Sequence, residues 1–417
     1  MSAATAHVDL RQRGLEAPVR GILTTGGVLA VVGFGLFILL AAGNDPGRAW
    51  RAYLVNFLFF FGLAQGGITF AAIQKVTKAR WGGPIVRFAE AGVAFLPVTL
   101  VLFFILFLGR NYLFPWIAHP TPMRGNWLTV PFLFTRDLFA FLLLFGVALA
   151  FVWHDLKPDV AQARTLVKDW RRGLYHRIAA GYTGSKEDEA ANDRKLSRLA
   201  PLLIVVYAYC MTLIAFDLIM SLAPYWVSTL LGAFFFMGAH LSGLTTLGLN
   251  MVFWRKQLGL ESVIGRQQFH DLGKLIFGFS VFWAYTMFSQ VLVIWYGNLQ
   301  EETAFIFYRF WGAWRPISIL VGILVFLVPF WGLIFVKSKI TPFTFTLFSF
   351  ISLSGMWLER YLLVQPSLTE GGPQFGIPEF GVTLGFLGLF LLAYGTFARA
   401  FPMISPRLAA RAAEMHH

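Results

Sequence analysis

Residues 22–40 read ILTTGGVLAVVGFGLFILL, without a charged side chain. About 20 apolar residues in a helix cross the hydrocarbon core of a bilayer. The apolar core of a secretory signal peptide is shorter, about 7–15 residues, so this stretch reads as a spanning helix. The same test applied along the chain predicts further spans at 52–73, 88–108, 138–153, 200–222, 227–254, 272–295, 316–336, 342–364 and 377–397. The expected fold class is therefore an all-α integral membrane protein of about ten transmembrane helices. Pro201, Pro316 and Pro342 fall in predicted first turns, where a missing N–H costs nothing.

Composition agrees. Of 417 residues, 57% are hydrophobic and 13% charged, against roughly 25% charged in a soluble domain. The net charge of +13 would suggest nucleic acid in a soluble protein. Here the positive charge sits in loops, so no nucleic-acid partner is expected.

The loops alternate in basic charge. One set carries Arg11, Arg13, Arg20, Lys75, Lys78, Arg80, the run from Lys157 to Arg198, Arg255, Lys256, Arg266, Lys337, Lys339, Arg399, Arg407 and Arg411. The other carries Arg48, Arg51, Arg110, Arg124, Arg136, Arg309 and Arg315. The positive-inside rule then places both termini in the cytoplasm. This divides the chain into a cytoplasmic tail (1–20), helices one to four (21–154), a charged cytoplasmic loop (155–199), helices five to ten (200–400) and a second cytoplasmic tail (401–417). The long loop reads as a solvated connector, with an amphipathic surface helix over 160–178 as the alternative.

Cofactor ligands are scarce. Cys210 is the single cysteine, which excludes an internal disulfide and a cysteine-held cluster within the chain. It reads as a buried, inert thiol. Of eight histidines (His7, His119, His154, His176, His240, His270, His416 and His417), only His240 lies well inside a span. A transmembrane b-type haem ordinarily takes two facing histidines. No haem-attachment or phosphate-loop motif occurs. The expectation is that this chain holds no catalytic residue, cofactor or metal of its own.

Ionisable residues inside a bilayer are costly and mark function by default. Arg87 and Glu90 open the third span at i, i+3 spacing, and Asp271 and Lys274 open the seventh likewise; mutual neutralisation is the plain alternative for both pairs. His240 lies near mid-membrane. Asp217, Glu359 and Arg360 lie toward the far side. Glu90, Asp271, His240, Asp217 and Glu359 thus form a candidate proton pathway ordered by depth. Arg87, Lys274 and Arg360 would support it by charge, and Tyr285, Ser289, Gln290, Thr245 and Thr246 by hydrogen bonding. The same groups would serve equally as interhelical glue.

Three stretches carry a family resemblance: FDLIMSLAPYWVSTLLGAFFFMGAHLSG at 216–243, HDLGKLIFGFSVFWAYTMFSQVLVIWYGNLQEET at 270–303, and MWLERYLLV at 356–364. Together with RFAE at 87–90, they resemble the NrfD-type (polysulfide-reductase) membrane subunits. Within that family they are most similar to the ActF-type subunits of bacterial alternative complex III, a quinol:electron-acceptor oxidoreductase. The likeness is strong from Ala200 to Val364. Gln300 departs from it, standing in a loop where a proline is expected. The resemblance implies a bacterial inner-membrane location and two four-helix bundles plus two flanking helices. It implies a sister NrfD-like membrane subunit as partner, a periplasmic iron–sulfur/molybdopterin-like subunit, multihaem and monohaem cytochrome c subunits, and lipids. Haem c and iron–sulfur clusters would reside on those partners, with quinol or quinone bound nearby. Two alternatives stand beside it: an ion-coupled secondary transporter, or the anchor of another NrfD-type reductase. Transporters tend to break helices near the midplane. Here the prolines read as lying at helix ends, although Gly66 and Gly67 interrupt the second span.

Overall fold

In a computed structural model, residues 10, 12–121, 124–369 and 371–413 are described; Arg11, His7, His416 and His417 lie outside them. These residues form helices and no strand. Ten helices are long and apolar enough to cross a membrane. They are α1 (Arg20–Ala41), α2 (Pro46–Val76), α3 (Val86–Leu108), α4 (Val130–Ala163), α5 (Lys186–Leu218), α6 (Leu231–Gln257), α7 (Arg266–Gly297), α8 (Gly312–Leu333), α9 (Pro342–Leu368) and α10 (Ile377–Ala400). Each predicted span falls on one of them.

Helices α2–α5 form one bundle and α6–α9 a second. They meet along α2 and α6, while α1 and α10 pair at the flank. Every residue from Ala52 to Ala72 is buried, so α2 is the axis of the molecule. Small residues permit the close seams, as bilayer helices require. A Cβ on Gly33 would fall 2.3 Å from the Cα of Gly385 across the α1–α10 seam. One on Gly66 would fall 2.1 Å from the carbonyl oxygen of Ala239 on α6. Gly66 and Gly67 therefore do not interrupt α2, which runs unbroken; they let α6 approach it.

Hydrogen bonds gather the basic loops and both ends of the described chain on one face. Met403 N donates to Gly14 O at 3.1 Å, Arg171 to Leu15 O at 3.1 Å, and Tyr175 to Ala400 O at 3.1 Å. Arg13 donates to Gly259 O at 2.8 Å and Gln268 to Trp81 O at 3.3 Å. On the opposite face several of the exceptional arginines are held in place. Arg48 forms a two-point ion pair with Glu379 at 2.8 Å, and Arg124 donates to Pro224 O at 2.8 Å.

Two expectations are corrected. The segment 155–199 is not mainly a connector. Helix α4 runs to Ala163 and α5 starts at Lys186, with a short helix at Arg171–Ile178 between them. The break at 164–170 rules out one surface helix over 160–178. Ser185 starts α5 by accepting from Asp188 N, and Glu187, Asp188 and Glu189 in the first turn suit the helix dipole. Second, prolines do not stay at helix ends. Pro158, Pro201 and Pro366 lie inside α4, α5 and α9. Helix α3 tightens to a 3-10 turn at Ala91–Phe95 just before Pro97, and α8 widens to a π-turn at Ile323–Leu327 just before Pro329. Pro316 and Pro342 do occupy first turns.

Candidate functional site

On the basic face, the first turn of α3 presents Arg87 and Glu90 inward, with 1% and 0% exposure. Arg87 pairs with Glu90 at 2.5 Å, as i, i+3 spacing allows. It also reaches α4, at 2.6 Å from Asp159 and 3.2 Å from Asp155. The segment after α10 closes the cluster: Ser405 donates to Asp159 at 2.9 Å, and Arg407 lies 3.5 Å from Asp155. Two guanidinium groups thus face three carboxyls, and Glu90 Oε1 has no hydrogen-bond partner. A cavity of about 430 Å³, lined by Lys75, Lys78, Glu90, Asp155, Arg407 and Arg411, connects here. Lys75 pairs with Asp193.

At middle depth, His240 is 3% exposed. Its Nδ1 lies 3.0 Å from the carbonyl oxygen of Gly66, and its ring meets Phe279 edge-on at 4.7 Å. The glycine seam is what lets the imidazole reach the α2 backbone. Around this level, Gln65 is fully buried and both its amide atoms lack partners; the hydroxyls of Thr246, Ser280, Ser349 and Ser352 lack them too. Buried polar atoms are ordinarily satisfied, and ordered water is the commonest reason when the protein does not satisfy them. Thr245 instead donates to its own helix, to Leu241 O at 3.0 Å.

In the half remote from the basic loops, Glu359 pairs with Arg360 at 2.9 Å. Arg360 also donates to Phe235 O on α6 at 3.1 Å and stacks over the Phe235 ring. Asp217 is gripped by Arg136 of α4, with one bond at 2.6 Å. Asp137, the next residue of α4, is fully buried with neither oxygen partnered. Gln290 accepts from Ser228 at 3.2 Å.

No hydrogen bond or ion pair among the described residues joins any two of Glu90, Asp271, His240, Asp217 and Glu359; each meets its own neighbours. Asp271 pairs with Lys274 at 2.7 Å near the surface. Tyr285 is 61% exposed on the outer side of α7, and Ser289 donates back to Tyr285 O at 2.8 Å. Those two hydroxyls face away from the interior. Sequence reasoning missed Asp155, Asp159, Arg407, Asp137 and Gln65. A signal existed for the first two, because the capping pattern at Ser185 confines the loop and lets α4 run on past them.

The second bundle also encloses a cavity of about 340 Å³ between α7, α8 and α9. Trp226, Phe234, Trp283, Phe305 and Phe326 supply aromatic walls, and Gln290, Arg309 and Glu359 the polar ones. Arg309 donates to Leu362 O at 3.1 Å and Leu363 O at 2.9 Å. Pro366 cannot bond the first of these carbonyls, so Arg309 repairs the gap that the proline leaves in α9.

No family model matches the chain, and no curated protein matches it.

Proposed function

We propose that this chain is a haem-free integral membrane subunit of a bacterial respiratory quinol:electron-acceptor oxidoreductase of the alternative complex III type. It would serve as a scaffold beside a sister membrane subunit and as a proton pathway. The electron carriers, haem c and iron–sulfur clusters, would belong to partner subunits. The reading rests on the resemblance at 216–243, 270–303 and 356–364. The observation that supports it is the layering of buried polar groups across both bundles, all but His240 with an unpartnered atom. Glu90 lies toward the basic face, Gln65, His240, Ser280, Ser349 and Ser352 lie between, and Glu359 and Asp137 lie toward the other. Water ordered on such groups would complete a hydrogen-bonded path through them. Histidine suits the middle because its imidazole can accept a proton at one nitrogen and give one up at the other. The basic face would be cytoplasmic, by the excess of Lys and Arg in its loops.

The test is the number of protons moved per electron by the purified complex in proteoliposomes. Glu90→Gln and His240→Ala should lower that ratio in assembled complex. An unchanged ratio in both would make these residues structural ties. The π-turn midway along α8 keeps an ion-coupled carrier as the second reading, since helices interrupted near the midplane suit substrate or ion binding. Substrate-dependent uptake by the chain without redox partners would favour it.

A further inference from the structure

The cavity of about 430 Å³ on the basic face has two ends of opposite character. Its deep end is the cluster already described, where the carboxyls of Glu90 and Asp155 meet Arg87 and Arg407. Its mouth is cationic. Lys75 comes from the last turn of α2, Lys78 and Arg80 from the turn that follows, and Arg411 from a short helix at Pro406–Ala413. Lys75 is paired with Asp193. The side chains of Lys78, Arg80 and Arg411 make no hydrogen bond or ion pair among the described residues. The lining as a whole sets five cationic side chains against three carboxyls. A cleft with such a surplus draws an anion.

The unpartnered buried atoms define the rest of the occupant. Arg407 Nε is a donor without an acceptor. With the three free cations at the mouth it suits phosphate oxygens, which form strong charge-assisted hydrogen bonds with Lys and Arg. Glu90 Oε1, Asp155 Oδ2 and Gln74 Oε1 are acceptors without a donor, and they suit hydroxyl groups. An occupant that carries both is a polyol phosphate. An ammonium group would satisfy the acceptors and be repelled at the mouth, which argues against a zwitterionic headgroup. Depth selects the source. Phe151 and Asp155 of α4 line the cavity, and Trp153 between them is 44% exposed. Exposed tryptophan on a spanning helix marks the membrane–water interface, so the cavity lies at the level of lipid headgroups.

We propose that this cavity binds the phosphoglycerol headgroup of an anionic phospholipid. Lys78, Arg80, Arg407 and Arg411 hold its phosphate, and its hydroxyls turn toward Gln74 and Glu90. The bound lipid clamps the segment after α10 to the turn between α2 and α3. The proposal needs only that the chain crosses a membrane, so it stands or falls apart from the proposed function.

The experiment is native mass spectrometry of the purified, delipidated protein titrated with dioctanoyl phosphatidylglycerol. One lipid per chain should bind and raise Tm, and dioctanoyl phosphatidylcholine should not compete. Lys78→Ala, Arg80→Ala and Arg411→Ala should each weaken binding about 5-fold, and the three together about 100-fold, from the worth of one basic residue beside a charged lipid. These side chains are exposed and tie nothing down, so the variants should fold as the parent does. Lys168→Gln and Arg172→Gln, exposed in the basic loop outside the cavity, should leave binding unchanged. Gln74→Leu should erase the preference for phosphatidylglycerol over phosphatidylmethanol, which has the same charge and no hydroxyl. Equal losses from Lys168→Gln and Lys78→Ala would reduce the effect to the general attraction of a basic surface and overturn the proposal. Undiminished binding in the triple variant would overturn it too. So would phosphatidylcholine or free glycerol 1-phosphate binding as tightly as phosphatidylglycerol.

Discussion

The two bundles treat buried polarity differently. In the first, the charges on the basic face are tied together: Arg87 holds Glu90, Asp155 and Asp159, and Arg407 closes over them. In the second, the hydroxyls of Ser280, Ser349 and Ser352 and the Trp283 N–H are buried without partners, and of these Trp283 lines the cavity. Helix α2 is enclosed, while α7 and α8 expose Tyr285, Phe288, Val293 and Trp331 outward. A satisfied network resists change and specifies the fold. The first bundle is tied by ion pairs, although Glu90, Gln65 and Asp137 keep unpartnered atoms there too, while the second leaves mainly neutral hydroxyl and N–H groups unpartnered, so cutting the first should cost the more.

The largest effect should come from cutting the first network. Arg87→Ala leaves three carboxyls crowded at a buried site with only Arg407 near, and breaking such a pair costs about 3–5 kcal/mol. The variant should fail to accumulate, or should melt far below the parent in detergent. A near-parental Tm would mean that the cluster is hydrated and contributes little.

Next comes the seam between the bundles. Gly66→Val places a side chain where α6 backbone already sits, and overpacking costs about 1–3 kcal/mol. It should also push His240 off the Gly66 carbonyl. Thermal melting and histidine-sensitive labelling would show both changes together; a stable variant with an unmoved histidine would mean that the bundles slide freely.

A smaller effect belongs to the second bundle. Ser352→Ala removes a hydroxyl with no protein partner, so Tm should move by the equivalent of about 1 kcal/mol or less, while protons per electron fall. A large loss of stability would show that the hydroxyl is bonded after all, and would erase the contrast. Cys210→Ala should do least, about 1 kcal/mol or less, with no change in turnover. A reactive or essential thiol would contradict the reading of Cys210 as inert packing.

How much was legible in the sequence follows from the range of each interaction. Hydropathy is local, and all ten spans could be read from it. Arg87–Glu90 and Asp271–Lys274 were legible because partners three residues apart share a helix face. Asp159 was not, because its partner lies 72 positions away and the helix that carries it outruns its apolar stretch. Arg407 joins from beyond the last span. Asp137 was obscured at the start of a span whose apolar run looked short. Tyr285 and Ser289 were misjudged in direction: α7 turns Trp283, Thr286 and Gln290 inward, and the hydroxyls beside them face out. The cavity depends on a π-turn and on helix spacing, and neither leaves a pattern in the chain.

The central claim is that this chain is a subunit without its own electron carriers. Purification from native membranes under mild detergent tests it most directly, with subunit stoichiometry and haem spectra as the readout. The account predicts multihaem cytochrome c and an iron–sulfur protein in fixed ratio to the chain, and no b-type haem assignable to it. A chain that purifies alone and carries substrate across liposome membranes, or one that holds a stoichiometric b-type haem, would contradict the account.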